Sequence, residues 1–225
     1  MNSDLPIPAR MSHLPRTPAG LPIPWFVAWE GSRYDFRVVD ARKIKPAVVQ
    51  RLCWLCGRPL GRMMCFVVGP MCVVNRVSSE PPMHRDCAEY ALRACPFLTQ
   101  PSRERREGGG LMPVDPHMAG TAILRNPGVS VLYVTRSYTV AQVPGGVLFD
   151  MGDPEEVAWW SQGRSATRAE AEHAIASGLP ILEREADRDG VAAHQALVGA
   201  VMQAMKLLPP GDAPARTRGA SHAHG

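Results

Sequence analysis

Lysine is almost missing from this 225-residue chain. Only Lys43, Lys45 and Lys206 occur, so nearly all of its positive charge is arginine. Long apolar runs are missing as well. The longest, Ala196 to Leu208, is interrupted by Gln203 and Lys206 and is too short to span a bilayer, so no membrane partner is expected. The start, Met1-Asn2-Ser3-Asp4-Leu5-Pro6, has neither the basic opening nor the apolar stretch of a secretory signal. The expected compartment is therefore the cytoplasm, where cysteines more often bind metal than form disulfides. A strong charge imbalance is absent too: 25 Lys/Arg against 21 Asp/Glu leave +4, too little to imply a partner by itself. No local arrangement singles out a nucleophile with its base, and the expectation is a protein that is not an enzyme.

Proline, by contrast, is abundant: 22 residues, about twice the usual share of about 5%. Six of them fall within residues 1–24, so residues 1–23 are expected to be extended or disordered. Order should begin with two strands of a hairpin, Pro24–Trp29 and Tyr34–Asp40, followed by a short helix over Pro46–Leu52. Residues 24–98 read as one module and the polar, glycine-rich stretch 99–117 as a linker. Residues 118–208 read as a small β-then-helical region and 209–225 as a disordered tail. In the second region Ser130–Thr135, Tyr138–Val143 and Val147–Asp150 have strand character. Asp153 with Glu156, and Thr167 with Glu170, have the spacing of helix-starting capping boxes. Gly178 suits a helix stop and Pro180 the first turn of the next helix. A last helix, Val191–Leu208, puts Leu197, Val201, Met205 and Leu208 on one stripe. The fold class expected is α+β.

The chemistry is concentrated in Cys53-Trp54-Leu55-Cys56-Gly57 and His84-Arg85-Asp86-Cys87, with 27 residues between Cys56 and His84. A Cys-x-x-Cys turn brings two thiolates to one side, and ligands three apart face one way on the first turn of a helix. Together Cys53, Cys56, His84 and Cys87 supply the four N/S donors of a closed structural Zn2+ site. Two alternatives stand beside it: a redox Cys-x-x-Cys, disfavoured because Gly57-Arg58-Pro59 follows instead of a helix, and buried or disulfide-linked cysteines. Cys65, Cys72 and Cys95 read as core residues, any of which could replace a proposed ligand if His84 points elsewhere.

Between the two ligand pairs, Arg62–Val68 and Met71–Arg76 read as strands around a Gly69-Pro70 turn, and an apolar helix is expected over Cys87–Cys95. Knuckle, hairpin, then a helix carrying the second ligand pair resembles a treble-clef zinc finger. Some nucleases use that scaffold, but no spare histidine lies between Cys53 and Cys95 to act as their base.

More specifically, several runs occur as a set: Pro24-Trp25-Phe26-Val27-Ala28-Trp29, Asp35-Phe36-Arg37-Val38-Val39-Asp40, the cysteine knuckle, and Gly69-Pro70-Met71-Cys72-Val73-Val74-Asn75-Arg76. Glu80-Pro81-Pro82, His84 with Cys87, Tyr90-Ala91 and Ala94-Cys95-Pro96-Phe97-Leu98 complete it. In these the chain resembles a group of uncharacterised proteins from GC-rich bacteria and their phages. The likeness covers about residues 24–100, and more loosely Gly152–Val157 and Gly163–Arg168. It implies a phage or prophage setting, hence a host cytoplasm, and brings no catalytic residue with it.

Charge divides along the chain. Residues 1–106 hold 16 Lys/Arg and 8 Asp/Glu, residues 107–225 nine and 13. A polyanion would therefore meet the first half. Arg58, Arg62, Arg76 and Arg85 are the candidate contacts to DNA or RNA, since the guanidinium fork fits phosphate. The alternative is a protein–protein adaptor or regulator, with Leu197, Val201 and Met205 as a partner or self-association face.

Overall fold

The computed structural model describes residues 5–100, 127–144 and 146–211, and for Arg37 the backbone alone. Strands β1 (Val27–Glu30) and β2 (Arg33–Val39) form the expected hairpin, with Trp29 opposite Tyr34 and Glu30 opposite Arg33. Gly31 makes the reversal at φ +57°, a conformation glycine adopts without strain. A 3-10 turn follows, capped by Asp40, which accepts the Arg42 N–H at 3.2 Å, and leads into α1 (Ile44–Val49).

Next come β3 (Met64–Val68), α2 (Pro70–Asn75), β4 (Val77–Ser78), α3 (Arg85–Ala94) and α4 (Pro96–Thr99). After residues 101–126 the chain adds β5 (Ser130–Thr135), β6 (Tyr138–Val143), β7 (Gly146–Met151), β8 (Pro154–Ser161) and β9 (Arg164–Ser165). It closes with α5 (Arg168–Asp189) and α6 (Val191–Met205). Two antiparallel sheets result, β3-β5-β8-β9 and β4-β7-β6, so the protein is α+β. Among the described residues no helix is long and apolar enough to cross a membrane.

β5 explains how the molecule is layered. All six of its residues are buried, because both faces of its sheet are covered. Val131 and Tyr133 join Phe66, Phe149, Trp159, Ile175 and Leu197 in a core against α2, α5 and α6. Leu132 and Val134 point the other way, into a second core with Cys53, Cys56, Cys87, Met83 and Leu92. β3 pairs with β5 in the register Phe66 to Tyr133, so residues 64–68 and residues 130–165 share one sheet.

Several sequence expectations need correction. Met71–Arg76 is no strand: Pro70–Asn75 is helical, with proline in the first turn, where its missing N–H costs nothing. Its buried side chains Met71, Val73 and Val74 join the first core. The Asp153/Glu156 spacing starts no helix, because residues 154–161 pair with β5 as β8, Val131 opposite Trp159. Gly178 and Pro180 lie inside α5. A Cβ on Gly178 would sit 2.8 Å from Cγ of Met71, so this glycine permits close approach of α2 rather than a helix stop. The Thr167/Glu170 box does form: Thr167 accepts the Glu170 N–H at 3.2 Å and Glu170 accepts the Thr167 N–H at 2.8 Å.

Within the proline-rich start, Ala9–Met11 form a 3-10 turn and Met11, Leu14 and Ile23 are buried. The Ile23 N–H donates to the Pro15 carbonyl at 2.7 Å, holding that segment as a loop. The linker expected at 99–117 lies outside the described residues from position 101, and the tail expected at 209–225 from position 212.

Candidate metal centre

The first ligand pair sits on a tight knuckle. The Cys53 N–H donates to the Arg58 carbonyl at 2.8 Å, the Gly57 N–H to the Cys53 carbonyl at 2.8 Å, and the Leu60 N–H to the Arg51 carbonyl at 2.7 Å. These bonds curl residues 53–57 so that both cysteines point inward. Gly57 has φ +69°, and a Cβ there would lie 2.7 Å from Cγ of Trp25. Glycine is thus required twice, by the turn and by the indole packed over it.

The second pair arrives on α3. Cys65 and Met83 exchange N–H···O bonds of 2.9 and 2.7 Å, and the Trp54 N–H donates to Pro82 at 3.1 Å, which docks this approach onto the knuckle. His84 is the N-cap of α3 and makes no side-chain cap, because its ring turns into the cluster. Cys87 follows in the first turn, where the positive helix end favours thiolate.

One donor atom from each of Cys53, Cys56, His84 and Cys87 lies within 4.8 Å of all the others, and all four residues are buried. The His84 Nε2 faces the Pro59 carbonyl at 3.0 Å, so it carries the proton and donates. That leaves Nδ1 directed at the Cys56 sulfur, 3.4 Å away. The His84 backbone N–H donates to the Cys53 sulfur at 3.4 Å. This is the usual outer bonding of a ligating histidine, whose second nitrogen is fixed by a carbonyl.

The electrostatics fit the same reading. Hydrogen bonding to the sulfurs of Cys53 and Cys56 pushes the His84 pKa up to about 10. Cys56 is held far below the ordinary thiol range by hydrogen bonds from Cys53 and Cys87, while Cys87 is pushed far up by bonding to the same two sulfurs. A dication at the centre is what would let all three thiols lose their protons together. The cluster can therefore hold a metal ion. Among the described residues no other group of ligand side chains of this kind occurs, and all six cysteines are free of disulfides.

The remaining cysteines stay outside the cluster. Cys65 is fully buried and its thiol is pushed up to about 12 by burial, as an inert core residue's would be. Cys72 and Cys95 are half-buried on α2 and at the end of α3. No helix follows Cys56, so the redox arrangement of a Cys-x-x-Cys is not built here.

The four arginines proposed for nucleic acid divide into two pairs. Arg85 holds Glu156 with both terminal nitrogens at 2.7 and 2.6 Å and Glu89 with Nε at 2.9 Å. Arg76 holds Asp153 at 2.7 Å. Arg58 and Arg62 are exposed and have no carboxylate within 4 Å among the described residues. On α6, Leu197 is buried and Val201 half-buried, so the apolar stripe left outward is Val191, Val198, Met202 and Met205.

Two features of the site carry no signal in the ligand spacing. One is the Pro59 carbonyl on His84. The other is the N-terminal loop, which lays Met11 and Leu14 on the cysteine core and pairs Arg10 with Asp86 of α3 at 2.8 Å. Glycine directly after the Cys-x-x-Cys was the only cue to the packing around the knuckle.

Fold and site together define an α+β protein with a buried Cys3His cluster able to hold a metal ion. No protein-family model matches the chain, and neither curated proteins nor solved structures give a match.

Proposed function

We propose that the cluster binds one structural Zn2+ in a treble-clef-like arrangement, and that the protein is a nucleic-acid-binding module rather than an enzyme. The observation that carries this reading is the closed set of four buried donors. Three thiolates and an imidazole suit zinc and are poor ligands for Mg2+ or Ca2+. Tetrahedral bonds of about 2.3 Å to sulfur and 2.0–2.1 Å to nitrogen put adjacent S and N atoms about 3.5 Å apart, and Cys56 and His84 stand at 3.4 Å. Four protein ligands leave no position for substrate or water, so the metal's work is to hold the knuckle against α3. The order of knuckle, β3, antiparallel return at Met83 and ligand-bearing helix supports the treble-clef likeness, with α2 and β4 inserted between the two strands.

Nucleic acid is favoured by charge. Residues 5–100 contain 13 Lys/Arg against 6 Asp/Glu, whereas residues 127–211 contain 6 against 10. Arg58 and Arg62 are the first phosphate contacts, being exposed and unpaired with any carboxylate among the described residues; Arg76 and Arg85 are secondary because carboxylates hold them. A second reading, an adaptor acting through α6, is favoured by the outward stripe Val191, Val198, Met202 and Met205.

The test has two arms. Metal analysis should give one zinc per chain. Removing it with a chelator should unfold the module, since structural zinc contributes about 10–16 kcal/mol, as much as the whole stability of an ordinary domain. A stable, native-like Cys53→Ser protein sinks the structural-zinc claim. Fluorescence anisotropy with labelled nucleic acid should then show binding that falls steeply with salt, with a slope reduced by about 1 in Arg58→Ala and in Arg62→Ala. Binding of neither single strands nor duplex at low salt removes the nucleic-acid reading, and salt-insensitive self-association lost in Met202→Asp favours the adaptor.

A further inference from the structure

We infer that the β1–β2 hairpin is a base-stacking platform for single-stranded nucleic acid, formed by Trp29, Tyr34 and Phe36; this rests on the nucleic-acid reading above. Cross-strand pairing sets Trp29 opposite Tyr34, and Phe36 follows two residues on, so all three rings share one face. The rings form a continuous ladder: Trp29 to Tyr34 at 5.0 Å between centroids, Tyr34 to Phe36 at 5.6 Å. Yet Trp29 is 37% exposed and Phe36 44% exposed. Phe66, Tyr133 and Phe149, by contrast, are buried in the core.

The platform is held rigidly. A two-stranded hairpin alone is marginally stable, and this one is pinned at its base to the metal knuckle. The Trp25 N–H donates to Leu55 at 2.7 Å, and Phe26 stacks on Trp54 at 5.2 Å and 12°. The Lys43 ammonium donates to the carbonyls of Trp25 and Val27. The rings therefore keep a fixed place relative to Arg58 on the same knuckle.

Charge selects the occupant. Along the hairpin, Glu30 and Asp35 alternate to the face opposite the rings, so the ladder face carries no carboxylate. Arg33 shares that opposite face with Glu30, so the cation left beside the hairpin is Lys45 on α1, exposed and with no carboxylate within 4 Å among the described residues. Exposed flat rings within a basic segment fit the general scheme for single strands, in which rings stack on bases irrespective of sequence and cations follow the phosphates. A duplex keeps its bases stacked inside and offers the rings nothing.

The experiment uses the full, zinc-loaded chain with fluorescein-labelled oligo-dT, oligo-U and a mixed-sequence duplex. Trp29→Ala and Phe36→Ala, both at exposed positions, should each weaken single-strand binding about 5- to 150-fold. The salt slope should stay as in the wild type, duplex affinity should not change, and Trp29→Phe should recover most of the loss. Variants that bind single strands as tightly as the wild type, while Arg58→Ala and Arg62→Ala still lower the salt slope, overturn the platform and leave the polyanion reading standing. Failure of the wild type to bind any of the three probes overturns both. Equal loss on single strands and duplex also refutes stacking.

Discussion

Replacing Gly57 by alanine tests the geometry of the metal centre without touching a ligand. The backbone there has φ +69°, and the new Cβ would meet the Trp25 ring at 2.7 Å from Cγ and 2.8 Å from Cδ1. The left-handed conformation costs a non-glycine residue about 1–2 kcal/mol. An ordinary carbon–carbon contact is about 3.5–4.0 Å, so the indole must retreat by roughly 1 Å. That breaks its fit against Trp54, 6.2 Å away edge-on, and strains the backbone bond from Trp25 to Leu55. Such overpacking costs about 1–3 kcal/mol. A metal-free knuckle can relax, so nearly the whole sum of about 2–5 kcal/mol falls on the metal-bound form. At about 1.4 kcal/mol per tenfold, zinc affinity should drop about 30- to 4,000-fold. Competition against a chromophoric chelator measures this directly. Gly199→Ala on α6, where nothing lies within 4 Å of the added Cβ, is the control and should leave affinity unchanged. Binding by Gly57→Ala within threefold of wild type would refute the reasoning.

Two further predictions concern α5. The Glu170 carboxylate is held down at about 2, first by its bonds to the Arg164 guanidinium and then by the Thr167 N–H. Because the folded value lies below the ordinary 4.5, this contribution to stability is complete above about pH 4.5 and disappears as the pH falls toward 2. Urea unfolding from pH 6 to pH 2.5 should therefore show a smaller acid loss in Glu170→Gln than in wild type, and equal losses would contradict the assignment. Gly178→Val drives a branched side chain into Met71 and should lower stability by about 1–3 kcal/mol. Part of that loss should return in the Gly178→Val, Met71→Ala double variant, with a coupling of about 0.5–3 kcal/mol; strict additivity would mean that α2 and α5 do not meet there.

The metal ligands were legible because their chemistry is local: a knuckle needs two cysteines three apart and a glycine after them, and a helix start needs no distant partner to aim His84 and Cys87. The hairpin, the three strands from 130 to 151 and the Thr167 cap were legible for the same reason. Where a distant segment decides, local cues misled. Asp153 and Glu156 have the spacing of a helix start, yet Val157, Ala158 and Trp159 found β5 to pair with, and sheet pairing outweighed a cap worth about 1 kcal/mol. The five apolar or small residues after Pro70 fit strand and helix equally well by pattern, and packing against α5 and α6 settled them as helix. Gly178 was read by its commonest use, reversal at a helix end, whereas here it serves a side chain on another element. The pairing of Arg85 with Glu156 spans 71 positions, and no pattern in the sequence announces it.

The pairing of β3 with β5 also has a consequence for the order of events during synthesis. All four metal ligands have been made once residue 87 is reached, but the strand that β3 needs begins at Ser130. At about 5–20 residues per second the interval is roughly 2–9 s. In that time a metal ion at the cluster can already close the knuckle on α3, while Met64–Val68, apolar throughout, waits with one hydrogen-bonding edge open. An unpaired apolar edge invites wrong partners. Early metal loading fixes Cys65 to Met83 on the other side and leaves β3 a single edge to protect. Chains made without a bound metal would thus leave both edges of β3 open at once and accumulate as aggregate.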